Sequence, residues 1–121
     1  MTDDPARLVR VDKPWGHEEI WARTDGYVGK ILFILQGHRL SLQHHERKEE
    51  TIRVLRGTLC LDIEGDDGTL CAVLLGPGDA HHIAPRRRHR MTAVTDVEVL
   101  EVSTNHLDDV VRHSDDYGRV G

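Results

Sequence analysis

Between Leu40 and Gly57 the chain reads LSLQHHERKEETIRVLRG, which sets Gln43, His44, His45, Glu46, Glu49 and Glu50 close together. Residues two apart on a strand share a face. Gln43 and His45 therefore point one way and His44 the other. The intervening ERKE, Glu46 to Glu49, reads as a polar turn, and Glu50, Ile52 and Val54 then share a face on the returning strand. With Gln43 and His45 turned to the interior, such a hairpin sets Glu50 beside them. One amide oxygen, one imidazole nitrogen and one carboxylate suit a borderline or hard divalent metal. Two strands rarely complete a site of this kind, so a further donor is expected from a distant strand. His89 is the candidate, in GPGDAHHIAPRRRHR, where a Gly-Asp turn leads into a strand ending at Pro85.

These side chains need a rigid frame, and the rest of the chain supplies the pattern for one. Runs rich in Val, Ile and Leu recur at Gly29 to Gly37, Thr51 to Gly57, Thr58 to Gly65, Thr69 to Asp79 and Thr95 to Ser103, each bounded by turn residues. Short strands at this spacing predict an all-β sandwich or barrel. EGDDGT, Glu64 to Thr69, predicts a hairpin because Asp-Gly tolerates the positive φ of tight turns. Helix is expected only near the end, where NHLDDVVRH offers Asn105 as an N-cap with acids in the first turn. The expectation is one domain over 1–121 with its core at about 29–103.

Composition narrows the function classes. With 121 residues and 38% hydrophobic content the chain fits one core, and with 4% aromatics that core is built from Val, Leu and Ile. A net charge of −5 provides no global attraction to nucleic acid or anionic lipid. PRRRHR is short and belongs to an acidic chain, so it reads as a solvated or salt-bridged loop. The start, MTDDPARLVR, lacks the apolar run of a leader, and no stretch approaches a membrane span of about 20 residues. A cytoplasmic location is expected, with Cys60 and Cys71 reduced and buried.

Gly37, His45, Glu50 and Gly57 stand at the spacing of the first motif of the cupin family, with Gln43 in the place of its first histidine. Gly78 to His89 resembles the second motif, with Ala84 in place of the usual proline and Arg86 in place of a glycine. KPWGHEEIW, GHRLSLQ and DDVVRHSDDYGR further resemble the cupin domain of mannose-6-phosphate isomerases of the bifunctional type. The resemblance implies a jelly-roll β-barrel, commonly a homodimer, with one divalent metal held by Gln43, His45, Glu50 and His89. Zinc is the usual ion of those isomerases; manganese, iron and nickel are the alternatives.

It also implies a sugar-phosphate substrate. Arginine binds phosphate oxygens in a bidentate way, so Arg39, which shares parity with Gln43, and Arg90, beside His89, are the candidate phosphate contacts. Lys30 and Lys48 are weaker ones. His82 shares parity with Ala80 and Ala84 and is the candidate catalytic base, while Lys48 and Glu49 lie in the turn and are expected to be exposed. Two alternatives stay open. His45, Glu50 and His89 also satisfy the two-histidine, one-carboxylate triad of non-haem iron oxygenases, which makes an oxygenase or cyclase the runner-up, and a silent sugar-binding cupin is the third reading.

Overall fold

The computed structural model describes residues 8–119. The opening residues 1–7, on which much of the no-leader expectation rests, and residues 120–121 lie outside that range. In chain order the strands are β1 (Val9–Lys13), β2 (Gly16–Arg23), β3 (Val28–Ile34), β4 (Leu42–His44), β5 (Glu50–Arg56), β6 (Leu59–Glu64), β7 (Leu70–Leu75), β8 (Ala80–Ile83), β9 (His89–Ala93), β10 (Val97–Ser103) and β11 (Val111–Ser114).

They form two antiparallel sheets, one ordered β1-β2-β3-β10-β5-β8 and the other β11-β4-β9-β6-β7. No ladder joins the two sheets among the described residues, so the barrel closure expected from the resemblance is not seen. The sheets face one another across a core fed from both. Trp15, Leu32, Ile34, Ile52, Val54, Ile83, Val97 and Val99 meet Leu59, Leu61, Leu75, Met91 and Ala93. Strict alternation produces this. On β5, Glu50, Ile52 and Val54 are buried, while Arg53 and Leu55 face out. Each aliphatic side chain so buried contributes about 1.5–3 kcal/mol.

The turn chemistry follows the glycines. Gly68 closes the β6–β7 hairpin at φ +82. At Gly57, φ is +80 and a Cβ would stand 2.1 Å from the Asp96 carbonyl oxygen, so only glycine fits there. Arg86 is the exception, holding φ +67 without being glycine. The turn thus keeps the left-handed backbone that the motif's glycine would adopt, at a cost of about 1–2 kcal/mol. Its N–H donates to the carbonyl of His45 at 2.6 Å, tying the turn before β9 to the segment just after β4.

The expected C-terminal helix is not seen, and no helix occurs among the described residues. Residues 105–110 form a bend and one turn, and Val111–Ser114 pairs with β4 as a strand. Distant partners outbid the local helix signal. Asn105 accepts from Arg23 Nε at 3.3 Å instead of capping. Asp109 accepts the backbone N–H groups of Glu46, Arg47 and Lys48 at 3.1, 2.7 and 2.9 Å. Cys60 and Cys71 are both free, as expected, but Cys71 is exposed rather than buried because β7 is an edge strand.

Candidate metal centre

β5 delivers Glu50 to the interior at its first residue, and the turn before it places His45 at the same depth. β9 brings His89 from the other sheet. One donor atom of each lies within 4.8 Å of the others, and all three residues are buried. Gln43 is the ladder partner of His89 across β4 and β9 and lines the same cavity, whose volume is about 270 Å³. His44 projects the other way, its Nδ1 2.7 Å from His113 Nε2 and its Nε2 2.7 Å from Glu46 Oε1.

Hydrogen bonding aims the rings. His45 Nδ1 contacts the backbone carbonyl of Asp109, and His89 Nδ1 lies 2.9 Å from the carbonyl of Arg87. A carbonyl only accepts, so both Nδ1 atoms carry a proton, and it is Nε2 of each ring that would offer a lone pair to a metal. His45 Nε2 stands 3.5 Å from Glu50 Oε2. Burial holds His45 below the usual histidine range, against the opposing pull of Glu50, which favours the neutral ligand form.

A chain of buried charges backs the carboxylate. Lys48 Nζ lies 3.0 Å from Glu50 Oε2 and 3.0 Å from Glu101 Oε2, and Lys30 Nζ lies 3.9 Å from Glu101 Oε2 and 3.2 Å from Glu18 Oε2. Burial acts to lower Lys48, but Glu101 and Glu50 outweigh it and hold the ammonium well above the usual lysine range. Burial likewise acts to raise Glu101, and Lys48 and Lys30 reverse the effect. Within this chain, three carboxylates stand against two ammonium groups, which leaves these five side chains with one net negative charge. Glu50 Oε2 meets Lys48 Nζ and, at longer range, His45 Nε2. Two imidazole nitrogens beside a buried carboxylate, backed by a chain of net negative charge, fit a divalent cation.

Lys48 is therefore not the exposed turn residue expected from sequence; it is 6% exposed. Asp109 draws the turn inward by its three N–H contacts, and the two acids draw in the ammonium. Lys30 and Lys48 are held in this network rather than left free at a mouth. The signal for it was legible in part: Glu101 alternates with Val97 and Val99, and Lys30 with Leu32 and Ile34, so both had to face inward.

The other candidates are dispersed. Arg39 holds Asp116 through Nε at 2.6 Å and Nη2 at 2.9 Å. Arg90, buried, donates to the carbonyls of Leu40 and Ser114, each at 3.0 Å. Both arginines fasten the C-terminal segment to the second sheet, and neither lines the cavity. His82 is also absent from the lining; its Nε2 pairs with Glu49 Oε2 at 2.6 Å on the surface, and both side chains are more than half exposed. The cavity's own cations are Lys13, Lys30, Lys48, Arg112 and Arg119.

Two facing antiparallel sheets with a His/Glu/His cluster between them define a class of small β proteins built to hold a ligand or metal inside. The cupin domain family matches residues 30–103, and the chain belongs to that family. It is 33% identical over 115 residues to the mannose-1-phosphate guanylyltransferase of Escherichia coli K12, covering 91% of this chain and 23% of that protein. The chain thus spans about a quarter of that relative's length. A second relative, the acireductone dioxygenase of Bacillus licheniformis, is 37% identical over 60 residues, covering 50% of this chain and 34% of that one. Among solved structures, an oxalate decarboxylase variant from Bacillus subtilis aligns with a TM-score of 0.74 at 13% identity, covering 87% of this chain and 30% of that one. KdgF from a Halomonas species aligns at 0.69 with 22% identity, covering 79% and 84%. At these identities the structural likenesses speak for the fold alone.

Proposed function

We propose that this chain is a metal-dependent cupin that binds a phosphorylated sugar and interconverts its aldose and ketose forms, with Gln43, His45, Glu50 and His89 as the metal ligands. The observation that carries the reading is the convergence of two Nε2 lone pairs on the Glu50 carboxylate inside a polar cavity. When bound, a zinc or similar divalent ion supplies Lewis acidity toward adjacent oxygens of the sugar. The protein's own part is to hold the ligands and balance charge. Lys48 holds Glu50 in place through its 3.0 Å contact, and its ammonium, held protonated, suits stabilising negative charge near Glu50 rather than removing a proton. The sugar-phosphate substrate is supported by the name of the guanylyltransferase relative, whose substrate is a phosphorylated mannose. The reading includes a cytoplasmic homodimer; two free cysteines suit a reducing compartment.

A second reading rests on the same three residues. His45, Glu50 and His89 make a two-histidine, one-carboxylate set, and the dioxygenase relative aligns with half of the chain. The charged cavity wall favours the sugar phosphate over an apolar substrate. Metal analysis of the purified protein, followed by an NMR screen of phosphosugars under nitrogen and under air, separates the two. Turnover without oxygen in the presence of zinc or manganese supports the isomerase. Iron content with oxygen consumption overturns it in favour of the oxygenase, and binding without turnover overturns catalysis.

A further inference from the structure

Arg112 on β11 is the ladder partner of Gln43 on β4, and Gln43 is the partner of His89 on β9. Facing residues on neighbouring antiparallel strands project to the same side of the sheet. Arg112 thus extends the row of Gln43 and His89, and it lines the cavity with them. Its Nε is buried and makes no hydrogen bond. A buried charged donor left without an acceptor is costly, and an anion entering the cavity would complete it.

Three of the other cavity cations are already committed. Lys30 and Lys48 sit among Glu18, Glu50 and Glu101, and Arg119 holds Asp115 with Nε at 3.0 Å and Nη2 at 2.7 Å. Among the described residues neither Arg112 nor Lys13 enters an ion pair. Asp108, exposed, is the one lining acid outside the buried network.

We propose that Arg112, assisted by Lys13, receives the anionic group of a small polyhydroxylated ligand whose other end meets His45, Glu50 and His89. The proposal rests on the metal-site reading for the second half of that statement and on the cavity alone for the first. Two strand spacings, roughly 10 Å, separate the backbones of Arg112 and His89, a span that a hexose-sized molecule bearing a phosphate or carboxylate can bridge. A planar guanidinium serves either anion in bidentate fashion.

The test is calorimetric titration of manganese-loaded and metal-free protein with mannose 6-phosphate, gluconate, mannose and inorganic phosphate. Mannose 6-phosphate or gluconate is expected to bind at least ~10-fold more tightly than mannose, and which of the two leads identifies the anion. Arg112→Gln should erase that preference with metal content unchanged, Arg112→Lys should retain part of it, and Lys13→Gln should weaken it less. Equal affinity for all three organic ligands in the metal-loaded parent overturns the proposal, as does a preference that survives in Arg112→Gln. The metal-free arm separates the two readings. A parent that takes up no manganese overturns the metal site, while Arg112-dependent binding of inorganic phosphate by the metal-free protein supports the anion site by itself.

Discussion

Replacing Lys48 with Met tests whether the buried ionic chain holds the centre together. The substitution keeps most of the side chain's volume and removes only the charge. Lys48 Nζ has two carboxylate neighbours, Glu50 Oε2 and Glu101 Oε2, each at 3.0 Å. At an effective dielectric of about 20, each contact is worth roughly 5 kcal/mol of Coulomb energy. The desolvation of the ammonium offsets much of that. What remains is the cost of stranding the carboxylates, about 3–5 kcal/mol when one partner of a buried ion group is removed. For a domain of this size, that lowers Tm by roughly 10–20 °C.

The sign with pH is fixed by the same groups. Lys48 is raised in the folded state, so its contribution is fully present below the ordinary lysine pKa and is lost as pH rises through the higher folded value. In Lys48→Met the stranded carboxylates favour protonation, so the deficit shrinks as pH falls toward the carboxylate range. The assay is thermal unfolding by circular dichroism with chelator present, from pH 5 to pH 9, on the parent, Lys48→Met, and Lys48→Met with Glu101→Gln. Neutralising Glu101 removes one stranded charge and should recover a good part of the loss. A single variant within about 1 kcal/mol of the parent refutes the reasoning, as does a double variant no more stable than the single one.

Three further outcomes are expected. His45→Ala and Glu50→Ala should lower bound metal far more than His44→Ala, measured by elemental analysis after dialysis against zinc; equal loss in all three removes the ligand assignment. Arg86→Gly should stabilise the fold by about 0.5–1 kcal/mol, because relief of the positive φ exceeds the added chain entropy of glycine, and urea unfolding reads the change. For Asp109, burial acts to raise the carboxyl, but the N–H groups of Arg47, Lys48 and Glu46 outweigh it and bring it down to about 2. Its contribution is present above the unfolded value near 4 and is lost as pH falls toward 2. Asp109→Asn should therefore cost about 1–2 kcal/mol at pH 7, discounted for partial exposure, with the gap closing below pH 4 in denaturant titrations at each pH.

Much of this protein is local, and local features were readable. Strand faces alternate with period two, so Gln43, His45 and Glu50 could be assigned to one interior and His44 to the outside before any long-range contact was known. Gly57 and Gly68 marked turns because both hold a positive φ that glycine adopts without strain, and at Gly57 the Asp96 carbonyl also leaves no room for a Cβ. What sequence could not decide was pairing at a distance. Residues 105–113 carry a helix signal of their own, yet Val111 and Arg112 find β4 and become a strand, since hydrogen bonds to another element replace those a helix would make internally. Arginines beside the ligands in sequence turned out to be fasteners, while Arg112, far away in sequence, shares their row.

The ionic network was decided in the same way. Lys30 and Glu101 face each other only because β10 lies against β3 in one register, and Lys48 reaches Glu101 only because β10 also lies against β5. Parity determines which way a charge points. Only strand order decides which opposite charge it meets, and in a buried interior that meeting determines whether the charge holds a ligand or waits for one.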